Sequence, residues 1–93
     1  PGADLIGADL RRADLRSADL RGALLIASDL RGVDLSRCDL LGVDLRDANV
    51  GGADLSSALF LTQPQVSAAT GAAATRLPEG FDRPAHWEHN ALT

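Results

Sequence analysis

Every fifth residue from Leu5 to Phe60 is large and apolar, and two positions before each of them sits a smaller one. The pattern divides residues 3–62 into twelve five-residue units: ADLIG, ADLRR, ADLRS, ADLRG, ALLIA, SDLRG, VDLSR, CDLLG, VDLRD, ANVGG, ADLSS and ALFLT. The centres are Leu5, Leu10, Leu15, Leu20, Leu25, Leu30, Leu35, Leu40, Leu45, Val50, Leu55 and Phe60. A period of five fits neither the 3.6 of a helix nor the 2 of a long strand, so neither element keeps these side chains on one buried face. The unit instead reads as a short extended piece followed by a turn. Alternate residues of an extended piece share a face, so the small residue and the centre point inward together while the other three point outward. Four such units closing a square bring the fifth above the first, and the twelve centres stack in columns inside a narrow tube. The predicted fold is an all-β solenoid of three coils.

The sizes agree with that geometry. A tube with four inward centres per coil has room for Leu at the centres, while the position near each corner holds Ala in eight units and otherwise Ser28, Val33, Cys38 or Val43. Nine Asp and Asn49 stand just before the centre, where a short polar side chain bonds neighbouring backbone groups and helps the chain turn. Gly at several unit ends, such as Gly7 and Gly22, fits a turn that needs permissive backbone angles.

In these residues the chain resembles the pentapeptide-repeat family, with its consensus A(D/N)LXX. The resemblance covers residues 3–62 and implies a right-handed quadrilateral β-helix. Leu24 and Leu59 depart from it, standing where Asp is usual. The resemblance leaves the role open, since the family is used in many ways; some members mimic duplex DNA and bind type II topoisomerases such as gyrase.

From Thr62 the character changes. Thr62 reads as an N-cap, Gln65 as its capping-box partner, Pro64 as a first-turn residue and Gly71 as a stop. The pattern predicts a short α-helix that covers the lower ring of Leu45, Val50, Leu55 and Phe60 with Val66 and Ala residues, as solenoid ends require. Beyond it an extended tail is expected, held by Leu77, Phe81 and Trp87, with wording (LTQPQ, TRLPEGF, RPAHW) similar to the ending of many bacterial pentapeptide-repeat proteins of unassigned role. Residues 1–62 thus form the repeat, and 63–93 the cap and tail of the same domain. The upper end has no comparable device, so the expectation there is either further coils upstream or end-to-end stacking of two chains.

Folding the units four to a coil brings outward apolar residues together. Ile6, Leu24 and Ile26 fall on one face and Leu41, Leu59 and Leu61 on its neighbour, while the other two faces carry Arg, Ser, Gly and Asp. An exposed patch of this kind marks a contact: either the tail folds back over it or another molecule covers it.

Composition narrows the chemistry. The 93 residues carry nine Arg, no Lys and a net charge of −4, with the Arg interleaved among the acids. No basic block exists to neutralise phosphates, so direct nucleic-acid binding is not expected. Duplex mimicry fares little better. Three coils at a spacing of ~4.8 Å span about four base-pair steps and about eight phosphate charges, against ten Asp and seven Arg in residues 1–62. No apolar run approaches the ~18 residues that span a bilayer. The single Cys38 excludes an intrachain disulfide and fits a reducing, cytoplasmic setting.

Catalysis and cofactors find no motif. Stacked Asp columns would interest a hard cation, but they read better as corner residues offset by Arg11, Arg16, Arg21, Arg31 and Arg46. His86 and His89 supply at most half a zinc site. Cys38 occupies an interior small-residue position, unlike a reactive thiolate. The sequence therefore predicts no enzyme, cofactor or metal. It predicts a rigid interaction scaffold, with a protein partner or a second copy, end to end or side by side, as its ligand; the alternative is a gyrase-binding duplex mimic.

Overall fold

The first eleven units each close a turn with the same hydrogen bond. The amide of every small residue from Ala8 to Ala58 donates to the carbonyl of the centre three residues earlier, at 2.9–3.1 Å. The acidic residue before the centre fixes the entry to that turn: Oδ1 of Asp4, Asp9, Asp14 and their equivalents through Asp54 accepts the amide two residues on, with Asn49 doing the same for Gly51. This is the Asx-turn geometry that makes Asp and Asn effective at corners. Ser17, Ala27, Arg37 and Asp47 close their turns at φ of 60°, 58°, 59° and 58°, in the region that Gly7, Gly22, Gly32, Gly42 and Gly52 occupy at other corners.

The computed structural model describes residues 2–90, with side chains through Trp87. Successive layers are joined by parallel bridges between residues twenty apart. Leu24, for example, donates to Ala3 O at 2.8 Å and accepts from the Leu5 amide at 2.9 Å. The bridges form four ladders among the described residues: Asp4–Leu24–Asp44, Asp9–Asp29–Asn49–Thr70, Asp34–Asp54–Arg76 and Asp19–Asp39–Leu59. Among the described residues no run of bridges is long enough to make a conventional strand, because the chain turns away after each bridged position. The result is a β-helical solenoid. Leu20 through Leu55 fill its axis, with Ala23, Ser28, Val33, Cys38, Val43, Ala48 and Ala53 buried beside them. Leu5, Leu10 and Leu15, in the first layer, are only partly buried.

The lower end is built from the segment after the repeat. Helix α1 (Gln63–Ala68) starts at Thr62 with a complete capping box to Gln65 and buries Val66. The Gln65 amide then donates to Leu40 O at 2.8 Å and Val43 O at 3.0 Å, which pins α1 against the last repeats. The tail is not simply extended. Thr70 and Arg76 add a further rung to two ladders, at spacings of 21 and 22 residues.

Gly71, expected to stop the helix, has a different task. α1 ends at Ala68 with Ala69 as its C-cap. Pairing of Thr70 with Asn49 puts Ala69 and Gly71 in the register of Ala48 and Val50, so Gly71 sits where a centre would. A Cβ there would lie 2.6 Å from the Trp87 ring. The indole therefore takes the place of the missing side chain, with its Nε1 donating to Ala69 O at 2.9 Å. Trp87 belongs to a 3₁₀ turn over Ala85–Asn90. Arg83 holds this plug from outside: it donates to Ala72 O (2.8 Å) and Thr75 O (2.9 Å) and lies 5.8 Å from the ring centre. Leu77 and Phe81 pack on the same core, partly buried.

Candidate interaction surface

The twelfth unit departs from the register. Leu59 bridges Asp39 as its position requires, but Phe60 then takes φ 61° and turns outward, 63 % exposed, while Leu61 goes inside, 9 % exposed. Phe60 is therefore not a core centre, and Leu61 is not part of the outer patch. The unit carries one extra residue, as a β-bulge does, and bulges re-aim a side chain at the edge of regular structure. The physical reason lies downstream: Leu61 must lead directly into Thr62, the cap of α1, whose Gln65 is anchored on Leu40 and Val43. A left-handed φ at a non-Gly residue costs about 1–2 kcal/mol, so the outward Phe60 is maintained by the docking of α1. No local signal marks this, since ALLIA carries three large apolar residues in a row just as ALFLT does and keeps its register.

The remaining outward apolar residues lie on the faces expected. Ile6, Leu41 and Leu59 are exposed, and Leu24 and Ile26 are half-buried. The described part of the tail does not cover Ile6, Leu41 or Leu59. It packs under the lower end, where Gln63 and Asp82 exchange backbone and side-chain hydrogen bonds at 2.9 and 3.0 Å. Beside Phe60 and Leu41 a groove of about 490 Å³ opens, floored by the buried Val43 and Leu45 and walled by Pro64 and Ala68 of α1. Its polar atoms are engaged within the chain: Gln65 with the two carbonyls already named, and Arg46 with Asp44 at 2.7 Å. The surface is thus apolar with a charged rim.

Many charged groups of the repeat are paired within the chain, on the polar faces (Arg11, Arg16, Arg31) and beside the apolar residues (Arg21, Arg46) alike. Arg11, Arg16, Arg21, Arg31 and Arg46 each bind the carboxylate two residues earlier through Nε and Nη2. Arg11 also reaches Asp29 in the next layer at 3.4 Å, and Arg76 reaches Asp54 at 3.5 Å. The guanidinium bond, followed by the backbone amide of the same Arg, lowers the Asp14 and Asp19 carboxyls to about 2. Asp9, Asp29 and Asp44 are lowered by the same arrangement, and Asp54 by the Ser56 hydroxyl. These pairs are exposed, and each contributes little to stability.

The remaining candidate groups have structural surroundings. Cys38 is fully buried, and burial first and the Asp39 charge second push its thiol up to about 11. His86 Nε2 lies 2.8 Å from Ala69 O, and the ring meets Trp87 edge-on at 6.5 Å. The His89 side chain lies outside the described residues. Among the described residues no group of three or more His, Cys, Asp or Glu gathers as a metal site, and no helix is long and apolar enough to cross a membrane.

The family model for pentapeptide repeats matches residues 1–32 and 23–60, in eight copies. No curated protein matches the chain.

Proposed function

The chain belongs to the pentapeptide-repeat family, and on that premise we propose that it is a non-catalytic protein-interaction scaffold built as a right-handed quadrilateral β-helix of three coils. The four ladders and their twenty-residue spacing support the three-coil reading, since twelve units at four per turn make three layers. The observation that carries the functional reading is the asymmetry of the surface. Ile6, Leu41 and Leu59 stand exposed on two adjoining faces whose backbone is tied to the neighbouring layer by ladder bonds, with Phe60 exposed beside Leu59, whereas most carboxylates of the repeat already have an internal partner. Rigid apolar side chains bind with little ordering cost, and charged pairs closed on themselves offer a partner little.

The duplex-mimic alternative ranks below this one. Asp9, Asp14, Asp19, Asp29 and Asp44 are clamped by Arg, so they present ion pairs where a phosphate row would present free anions. A photo-reactive residue placed at Ile6 or Leu41, compared with Arg16 or Ser36 on the polar faces, tests the scaffold reading in cells. Crosslinks to protein from the first pair alone are expected. Crosslinks from the polar pair alone, or from neither, would reject it.

A further inference from the structure

From two matching triads on the apolar faces, we infer that this surface seats Lys or Arg side chains of a partner protein, with a carboxylate taking each cationic head and two aliphatic side chains taking its stem. The triads are Asp4, Ile6 and Leu24 on one face and Asp39, Leu41 and Leu59 on the next. The inference rests on the scaffold reading and names the chemistry of its partner. In each triad the Asp bridges the Leu of the neighbouring layer. It also accepts the amide of the aliphatic residue two positions on, at 3.2 Å from Ile6 and 3.1 Å from Leu41.

A missing clamp sets these two corners apart. Nine Asp stand just before a centre. At the other seven, the residue two positions on is Arg or Ser, and its side chain donates to the carboxylate. Ile6 and Leu41 have nothing to donate. Among the described residues Asp4 makes no ion pair, and Asp39 has only Arg21 Nε at 3.8 Å, while Arg21 is itself held on Asp19 at 2.7 Å. The same substitution therefore exposes an aliphatic side chain and frees the charge beside it. Leu24 and Leu59, standing where the other units carry Asp or Asn, widen the apolar floor. Lys and Arg lay their carbon stems on apolar surface and keep their heads polar, so a free carboxylate flanked by aliphatic groups fits both parts. The chain itself shows the pose for the head, with Arg21 meeting Asp19 through Nε and Nη2 at 2.8 and 2.7 Å. A purely apolar partner would instead strip water from Asp4 and Asp39 without supplying a counter-charge, and an anionic one would be repelled.

Amide NMR of the full chain, titrated with a short peptide of alternating Lys and Leu up to about 1 mM, tests this against Glu–Leu and Lys–Ser counterparts. The Ile6 and Leu41 amides report directly, since they donate to the two carboxylates, and the Arg16 amide on the clamped Asp14 is the control. The expected result is movement of Ile6 and Leu41 but not Arg16, with the Lys–Leu peptide alone. Asp4→Asn and Asp39→Asn should each weaken binding about 2–5-fold with the fold kept, because Asn49 closes the same turn with its amide oxygen. Ile6→Arg and Leu41→Arg should close each carboxylate within the chain, as Arg21 does for Asp19, and remove binding at that face. An equal response to the Glu–Leu peptide, no effect of the Asn and Arg variants, or no response at all overturns the inference. If crosslinks to protein from Ile6 and Leu41 persist in any of those cases the scaffold reading stands; if they vanish too, both fall.

Discussion

Replacing Gly71 by Ala places a methyl 2.6–2.7 Å from three atoms of the Trp87 ring, where ordinary carbon contacts lie at about 3.5–4.0 Å. The indole must retreat by about 1 Å, and it has little room to do so. Its Nε1 is bonded to Ala69 O, its ring is buried, and Arg83 closes the outer side. Overpacking of a filled site costs about 1–3 kcal/mol. The ceiling is set by losing the plug altogether, about 3–5 kcal/mol for Trp to Ala. At 2 kcal/mol a domain of this size loses about 8–16 °C of melting temperature. Trp87 is the only Trp, so its emission reports the site directly and should shift to the red in Gly71→Ala. The decisive comparison adds Gly71→Ala to Trp87→Ala, where the clash no longer exists and the second change should be nearly neutral, a large departure from additivity. Unchanged emission with a melting point within about 1 °C of the parent would refute the plug, as would strictly additive effects.

Three other outcomes follow from the same geometry. Leu61→Ala should cost about 2 kcal/mol or more by urea denaturation and Phe60→Ala no more than about 0.5 kcal/mol; the reverse order would return Phe60 to the core. Ala27→Gly should stabilise by up to about 1 kcal/mol, because φ of 58° is strained for Ala and free for Gly, and a loss of stability would contradict the turn geometry. Asp14 and Asp19 titrate in the folded chain at about 2, below the unfolded value of about 3.9. Their stabilisation is therefore present above about pH 4 and lost as pH falls through about 2. The urea midpoint should drop across that window, less steeply in 1 M salt and in Asp14→Asn, and a flat profile would show the Arg–Asp bonds to be inert.

What could be read from the sequence was whatever local spacing decides. The five-residue period, the Asp corners and the Thr62–Gln65 capping box each depend on residues within five positions of one another, and the structure places them as expected. Phe60 escaped because its angle is set by how α1 docks on Leu40 and Val43, some twenty residues earlier in the chain. Gly71 looked like a helix stop for a local reason and serves a distant one, with its space reserved for a side chain sixteen positions later. The added rungs at Thr70 and Arg76 break the twenty-residue spacing, so no search at a fixed period finds them. The outer patch was legible as a set of positions, whereas the groove beside it needed the helix in place before its walls existed.

The central claim is that residues about twenty apart are hydrogen-bonded layer to layer, and it is open to direct measurement by NMR scalar couplings across hydrogen bonds. The expected couplings join the amide of Leu10 to the carbonyl of Asp29, Leu25 to Asp44 and Leu30 to Asn49. Couplings from those amides to carbonyls four residues earlier, or rapid exchange of the same amides with solvent, would contradict the fold and the surface built on it.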